Sequence, residues 1–152
     1  MKAVTWLAAT TMSLAAITST AFANTLEGWS TDVEAALAVA KKEKKSVLVE
    51  FTGSDWCPPC IMMRKNVFSK KEFVEKASKD YVLVEIDLPK ADKALAARNQ
   101  IVAEKYKIDG FPTVVLLNGE GKEFSRFYAS EYPEMDKFLA HIDKKLESKN
   151  LD

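Results

Sequence analysis

Apolar positions recur at helical spacing in "TDVEAALAVAKKEKK", where Val33, Ala36, Leu37 and Ala40 share one side and Thr31-x-x-Glu34 has the form of a capping box. This stretch predicts a helix. "SVLVEFT", from Ser46 to Thr52, is almost continuously apolar and β-branched, the pattern of a strand covered on both faces. "IMMRKNVF", after Cys60, returns to helix formers, and Ser69-x-x-Glu72 predicts a further helix with Phe73, Val74 and Ala77 facing inward. "YVLVEID", Tyr81 to Asp87, repeats the buried-strand pattern and stops at Leu88-Pro89. Asp92 to Tyr106 predicts a helix with Leu95, Ile101 and Val102 turned to the core. A strand at Thr113 to Leu117, a turn at "NGEG" and a strand at Lys122 to Tyr128 follow. Met135, Phe138, Leu139, Ile142 and Leu146 then mark the apolar stripe of a C-terminal helix, and a short strand is expected near Leu26 to Trp29.

The order is α-β-α-β-α-β-β-α, an α/β chain. Strands separated by helices predict right-handed parallel crossovers, and the last two, joined by a tight turn, predict an antiparallel hairpin. The expected architecture is a mixed central sheet flanked by helices on both faces, without internal repeat or second domain.

Residues 1–23 stand apart from this pattern. Lys2 precedes an apolar or small run from Ala3 to Ile17, and Ser19-Thr20-Ala21-Phe22-Ala23 ends in the small-x-small form read by signal peptidase. A signal peptide cleaved after Ala23, a domain over 24–152 and a periplasmic location are the expectation. Thr5, Thr10, Thr11 and Ser13 interrupt the run and argue against a retained membrane anchor. The whole chain has 22 basic and 22 acidic residues, and only Lys2 leaves with the signal, so the mature balance is 21 to 22. That balance gives no case for nucleic acid or an anionic membrane as partner. "KKEKK", Lys41 to Lys45, falls where a helix should end and complements its dipole.

Export makes the two cysteines informative. Cys57 and Cys60 stand two residues apart in "SDWCPPC". A staple closing so short a loop is the least useful for stability, so a structural disulfide accounts poorly for them. A zinc site would need two more ligands, whereas the chain has no other cysteine and one histidine, His141, beside the stripe of the last helix. No metal is expected, and a Cys-His hydrolase is equally ill supplied. Between a buried strand and a helix start, Cys-x-x-Cys suits a redox centre. One helical turn brings the sulfurs within bonding distance, and the helix N-terminus favours the thiolate of the leading one. Cys57 is the candidate nucleophile and Cys60 the candidate resolving thiol. Pro58 and Pro59 suit the first turn but donate no N–H to Cys57, so they tune the centre toward a less stabilised thiolate.

"VLVEFTGSDWCPPC" followed by "KYKIDGFPTVVLLNGEGK" resembles the thioredoxin superfamily, in particular exported single-domain thioredoxin-like proteins and the soluble C-terminal module of the membrane thiol:disulfide interchange protein. The resemblance implies a thioredoxin fold and places Pro112 as a cis-proline facing the disulfide. It implies that the Phe111 backbone pairs with an extended substrate segment and that Trp56 borders the substrate surface, while Trp29 packs at the sheet edge. The family often has a buried aspartate beneath the cysteines, and this chain has Glu50 at about that place, without the lysine that often accompanies it. Glu50 is read either as proton acceptor for Cys60 or as a strand-end glutamate reaching water. Asp55 is read as a surface turn residue.

The activity so implied is that of an exported thiol-disulfide oxidoreductase, reducing or exchanging disulfides in protein substrates. The redox-active pair needs no further cofactor. A membrane thiol relay is the expected electron donor, and the protein is expected to act as a monomer. Two other classes remain open: a chaperone or cytochrome c maturation partner that holds thiols without turnover, and Cu(I) handling by the two thiolates.

Overall fold

The computed structural model describes residues 25–151. The expected signal segment, residues 1–23, lies outside them. Five helices and four strands follow in chain order: α1 (Val33–Glu43), β1 (Ser46–Thr52), α2 (Pro58–Met63), α3 (Lys71–Ala77), β2 (Tyr81–Asp87), α4 (Lys93–Lys105), β3 (Thr113–Leu117), β4 (Glu123–Tyr128) and α5 (Met135–Leu151). A π-helical segment, Arg64–Phe68, extends α2, and a 3₁₀ turn, Ala129–Glu131, follows β4.

The sheet runs β2-β1-β3-β4, so the most buried strand, β1, is central. Side chains alternate along it. Leu48 joins Met63, Val67, Phe68, Phe73 and Phe138 in a core under α2, α3 and α5. Val47, Val49 and Phe51 point the other way, to Val33, Ala36, Ala40 and Ala103 from α1 and α4. The three-layer arrangement with helices on both faces matches the expectation.

One strand direction does not. β1 and β2 are parallel, but β3 runs antiparallel to β1, with Thr113 opposite Phe51 and Leu117 opposite Val47. The cause is the course of α4. Its middle lies beside the end of β2, where Asn99 donates to the Asp87 carbonyl. It finishes beside β4, where Arg126 donates to the carbonyls of Tyr106 and Lys107. A helix laid across the sheet leaves the chain at the end where β1 finishes, and β3 must then run back.

Several local expectations also shift. Asp32, not Thr31, caps α1 through its side chain on the Ala35 N–H, and Glu34 instead bonds Lys105. Ser69 is consumed in closing the π segment, so α3 begins after Lys70 with no side-chain cap. Ile101 is 70% exposed, because the inward side of α4 passes through Leu95, Asn99, Val102 and Ala103. Leu26 and Trp29 are buried, but strand-like pairing in this stretch is a single bridge from Ser30 to Val84. Trp29 plugs that sheet edge, stacked on Phe73 and bonded through Nε1 to the Phe68 carbonyl. Lys122 closes the Asn118 turn and precedes β4.

Candidate active site

β1 delivers the chain to Gly53, whose carbonyl accepts the Cys57 N–H at 3.0 Å and turns the backbone into α2. Cys57 is the N-cap residue, in extended conformation, and Pro58 and Pro59 fill the first two helical positions. Neither proline has an N–H to leave unpaired at a helix start. Cys60 follows one turn on, and the two sulfurs are joined in a disulfide. Cys60 is wholly buried and Cys57 is 4% exposed, so an incoming group reaches the pair through Cys57.

The loop before Cys57 is clamped to the segment after β2. Asp87 accepts from the Ser54 N–H and hydroxyl at 2.9 and 2.6 Å. Asp55 accepts from the Lys90 and Ala91 amides at 2.9 and 2.8 Å, which holds its carboxyl below the usual range. The expected turn residue thus ties two loops together. Trp56 donates Nε1–H to the Leu88 carbonyl at 2.7 Å. Its ring packs against Gly53, meets Phe111 edge-on at 5.7 Å and carries the Lys90 ammonium at 5.1 Å from its centre. Trp56 is 36% exposed and forms one wall beside Cys57.

Phe111 and Pro112 stand at the start of β3, next to the end of β1. The Phe111–Pro112 peptide is cis, and Pro112 is buried, its carbonyl accepting the Ala129 N–H. Trp56 and Phe111 are therefore brought together at the cysteine end of the sheet. Tyr128, opposite Thr113 in register and 42% exposed, joins that end and was not foreseen.

Glu50 lies on the sheet face that α2 and the π segment cover. It is 1% exposed and so does not reach water, and its Oε1 has no hydrogen-bond partner among the described residues. Burial first, then the neighbouring Glu85, pushes its carboxyl well above the ordinary range, against the opposing pull of Arg64 and a hydrogen bond from Thr52. Glu85 sits beside it on β2 and pairs with Arg64 Nη1. Burial lifts Glu85 to about 7 in spite of that guanidinium. Neither Glu85 nor Arg64 was singled out from sequence. The signal available was Glu85 with Asp87 at period two in "VLVEID", which puts two acids on one face of an otherwise apolar strand.

His141 stacks on Tyr132 at 3.9 Å and meets Phe127 edge-on at 4.5 Å, a packing role on α5. Among the described residues no three His, Cys, Asp or Glu side chains are grouped to hold a metal ion. A cleft of about 710 Å³ between α1 and α4 includes neither cysteine.

Comparison with known proteins bears on this geometry. A model of the thioredoxin-like domain family matches residues 33–145. Disulfide bond reductase DsbH of Chlamydia pneumoniae is 35% identical over 101 residues, which cover 64% of this chain and 60% of that protein. Thiol:disulfide interchange protein DsbD of Pseudoalteromonas atlantica is 32% identical over 110 residues, 72% of this chain and 18% of that one. The chain thus spans less than two thirds of these relatives. A solved structure of DsbH oxidoreductase superposes with a TM-score of 0.70 at 29% identity, covering 82% of this chain and 86% of the other. With a family match across most of its length and the cysteine pair at the head of α2, this chain belongs to the thioredoxin-like family.

Proposed function

We propose that this protein is a thiol-disulfide oxidoreductase that reduces or exchanges disulfides in protein substrates. The observation that carries the reading is the setting of the cysteines: a reachable Cys57 at a helix N-terminus, a buried Cys60 one turn on, and aromatic walls on one side. The names of DsbH and DsbD point the same way.

In the dithiol form the Cys57 thiolate attacks one sulfur of a substrate disulfide, forming a mixed disulfide and releasing the other substrate sulfur as a thiolate, which takes a proton from water. Cys60 then loses its proton to the Glu50 carboxylate and attacks Cys57. The mixed disulfide breaks, the second substrate thiol leaves, and two electrons have passed from the pair to the substrate. A second dithiol must restore the pair. Trp56, Phe111 and Pro112 flank the extended substrate segment, and Pro58 and Pro59 set the thiolate stability of Cys57. The N-terminal run ending at Ala23 supports action after export, where a membrane-borne dithiol is a suitable donor.

Reduction of insulin by dithiothreitol, followed by turbidity, tests the reading. The parent protein should accelerate precipitation and Cys57→Ser should not. Equal rates with and without the parent would refute it.

A further inference from the structure

The parallel register sets Glu50 of β1 directly beside Glu85 of β2, and both side chains are buried, at 1% and 3% exposure. Arg64, from the π segment, pairs with Glu85, while Glu50 Oε1 has no hydrogen-bond partner among the described residues. Two carboxyls and one guanidinium are neutral together when they hold one proton. An uncompensated second negative charge in such a place is costly. The guanidinium is engaged by Glu85, so the proton belongs on Glu50.

The surroundings agree with that assignment. β2 adds Asp87 on the same face, a further negative group that accepts from Ser54. β1 adds the Thr52 hydroxyl, β3 places apolar Val114 opposite Glu50, and α2, which carries the uncharged disulfide, covers this face of the sheet through Met63.

We propose that Glu50, Glu85 and Arg64 act as one proton-holding unit beneath the disulfide, with Glu85 a positioning residue that engages Arg64 and keeps the working proton on Glu50. This rests on the oxidoreductase reading and assigns the unit to the step in which the pair is reduced. A thiolate of the donor dithiol attacks Cys57 Sγ, the Cys57–Cys60 bond breaks, and its electron pair goes to Cys60 Sγ. The Glu50 proton passes to that sulfur, leaving Cys60 as a thiol and Glu50 as a carboxylate. The donor's second thiolate then attacks the donor sulfur of the mixed disulfide and releases Cys57 as a thiolate. When substrate is later reduced, Cys60 returns the proton to Glu50. Two carboxyls coupled in this way titrate in macroscopic steps that belong to the pair.

The test is a pH titration of the oxidised, full chain carrying ¹³C in its glutamate carboxyls, with Glu50 assigned by Glu50→Gln. Glu85→Gln removes the negative charge that stands beside Glu50. The Glu50 midpoint should fall by about one pH unit or more, a tenfold change in its acid-to-carboxylate ratio. Glu85→Asp should keep it close to the parent. The pH-rate profile for reduction of the disulfide by dithiothreitol, expressed per reagent thiolate, should move the same way. An unchanged Glu50 midpoint in Glu85→Gln overturns the proposal. If that variant does not fold, Arg64→Gln decides: a raised Glu50 midpoint supports the unit, and an unchanged one overturns it. Loss of insulin reduction in the parent would strike the oxidoreductase reading instead, since the titration needs no turnover.

Discussion

Gly53 and Trp56 illustrate how single residues set this site. A Cβ at Gly53 would lie 2.5 Å from the Trp56 ring, so nothing larger than glycine lets the indole lie flat and reach the Leu88 carbonyl. Gly53→Ala should therefore lower stability by about 1–3 kcal/mol, the usual result of overpacking. Urea unfolding monitored by tryptophan fluorescence would register both the loss and the altered Trp56 environment. Pro59→His tests the tuning role of the prolines, since an imidazolium beside Cys57 favours its thiolate and hence the dithiol form. The potential of the pair should become less negative, by about 30 mV for each tenfold change in equilibrium with glutathione. An unchanged potential in a folded variant would remove the prolines from the tuning account. The cysteine pair and the prolines could be picked out in the sequence because their spacing carries meaning, and Trp56 and Glu50 through the family resemblance. Arg64 could not, because its significance comes from a helix crossing above the strand register, and Glu85 shows in the sequence only as one of two acids at period two on β2.

At the scale of elements, strands β1 and β2 were legible because burial on both faces leaves a nearly continuous apolar run, broken only toward the strand's end by Glu50 in one and Glu85 in the other. Helix starts were less so: Thr31 and Ser69 have the form of capping residues, yet Asp32 wins at α1 and the π segment takes Ser69. The direction of β3 depends on where α4 ends in space, which local pattern does not encode. Packing separates true core positions from misleading ones. Phe68 is fully buried and meets Trp29, Phe73 and Phe138, so Phe68→Ala should cost about 3–5 kcal/mol. Ile101 stands in solvent, and Ile101→Ser should change stability by no more than about 0.5 kcal/mol. Chemical denaturation of both variants checks the pair of values.

For the whole molecule, the buried carboxyls link stability to pH. Glu50 and Glu85 both titrate above their ordinary value of 4.5 in the folded protein, Glu85 at about 7. The folded state then binds more protons than the unfolded one, and these groups make stability fall as pH rises from about 4.5 through neutrality. Asp55 acts in the opposite sense, its contribution being lost in acid as its clamp is protonated. Denaturation midpoints of the oxidised protein at pH 5 and pH 8 should differ less in Glu50→Gln than in the parent, because one of the two titrating carboxyls is gone. The fold as a whole brings its reachable sulfur, its aromatic walls and the buried Glu50 carboxyl toward one end of the central strand, and the claim that this end exchanges disulfides is the one on which the rest depends. The most direct measurement is a trap. Cys60→Ser, mixed with an unfolded disulfide-bonded protein, should accumulate an adduct that mass spectrometry places on Cys57 and that dithiothreitol releases. Absence of any adduct at Cys57, in a variant shown to be folded and reduced, would contradict the account.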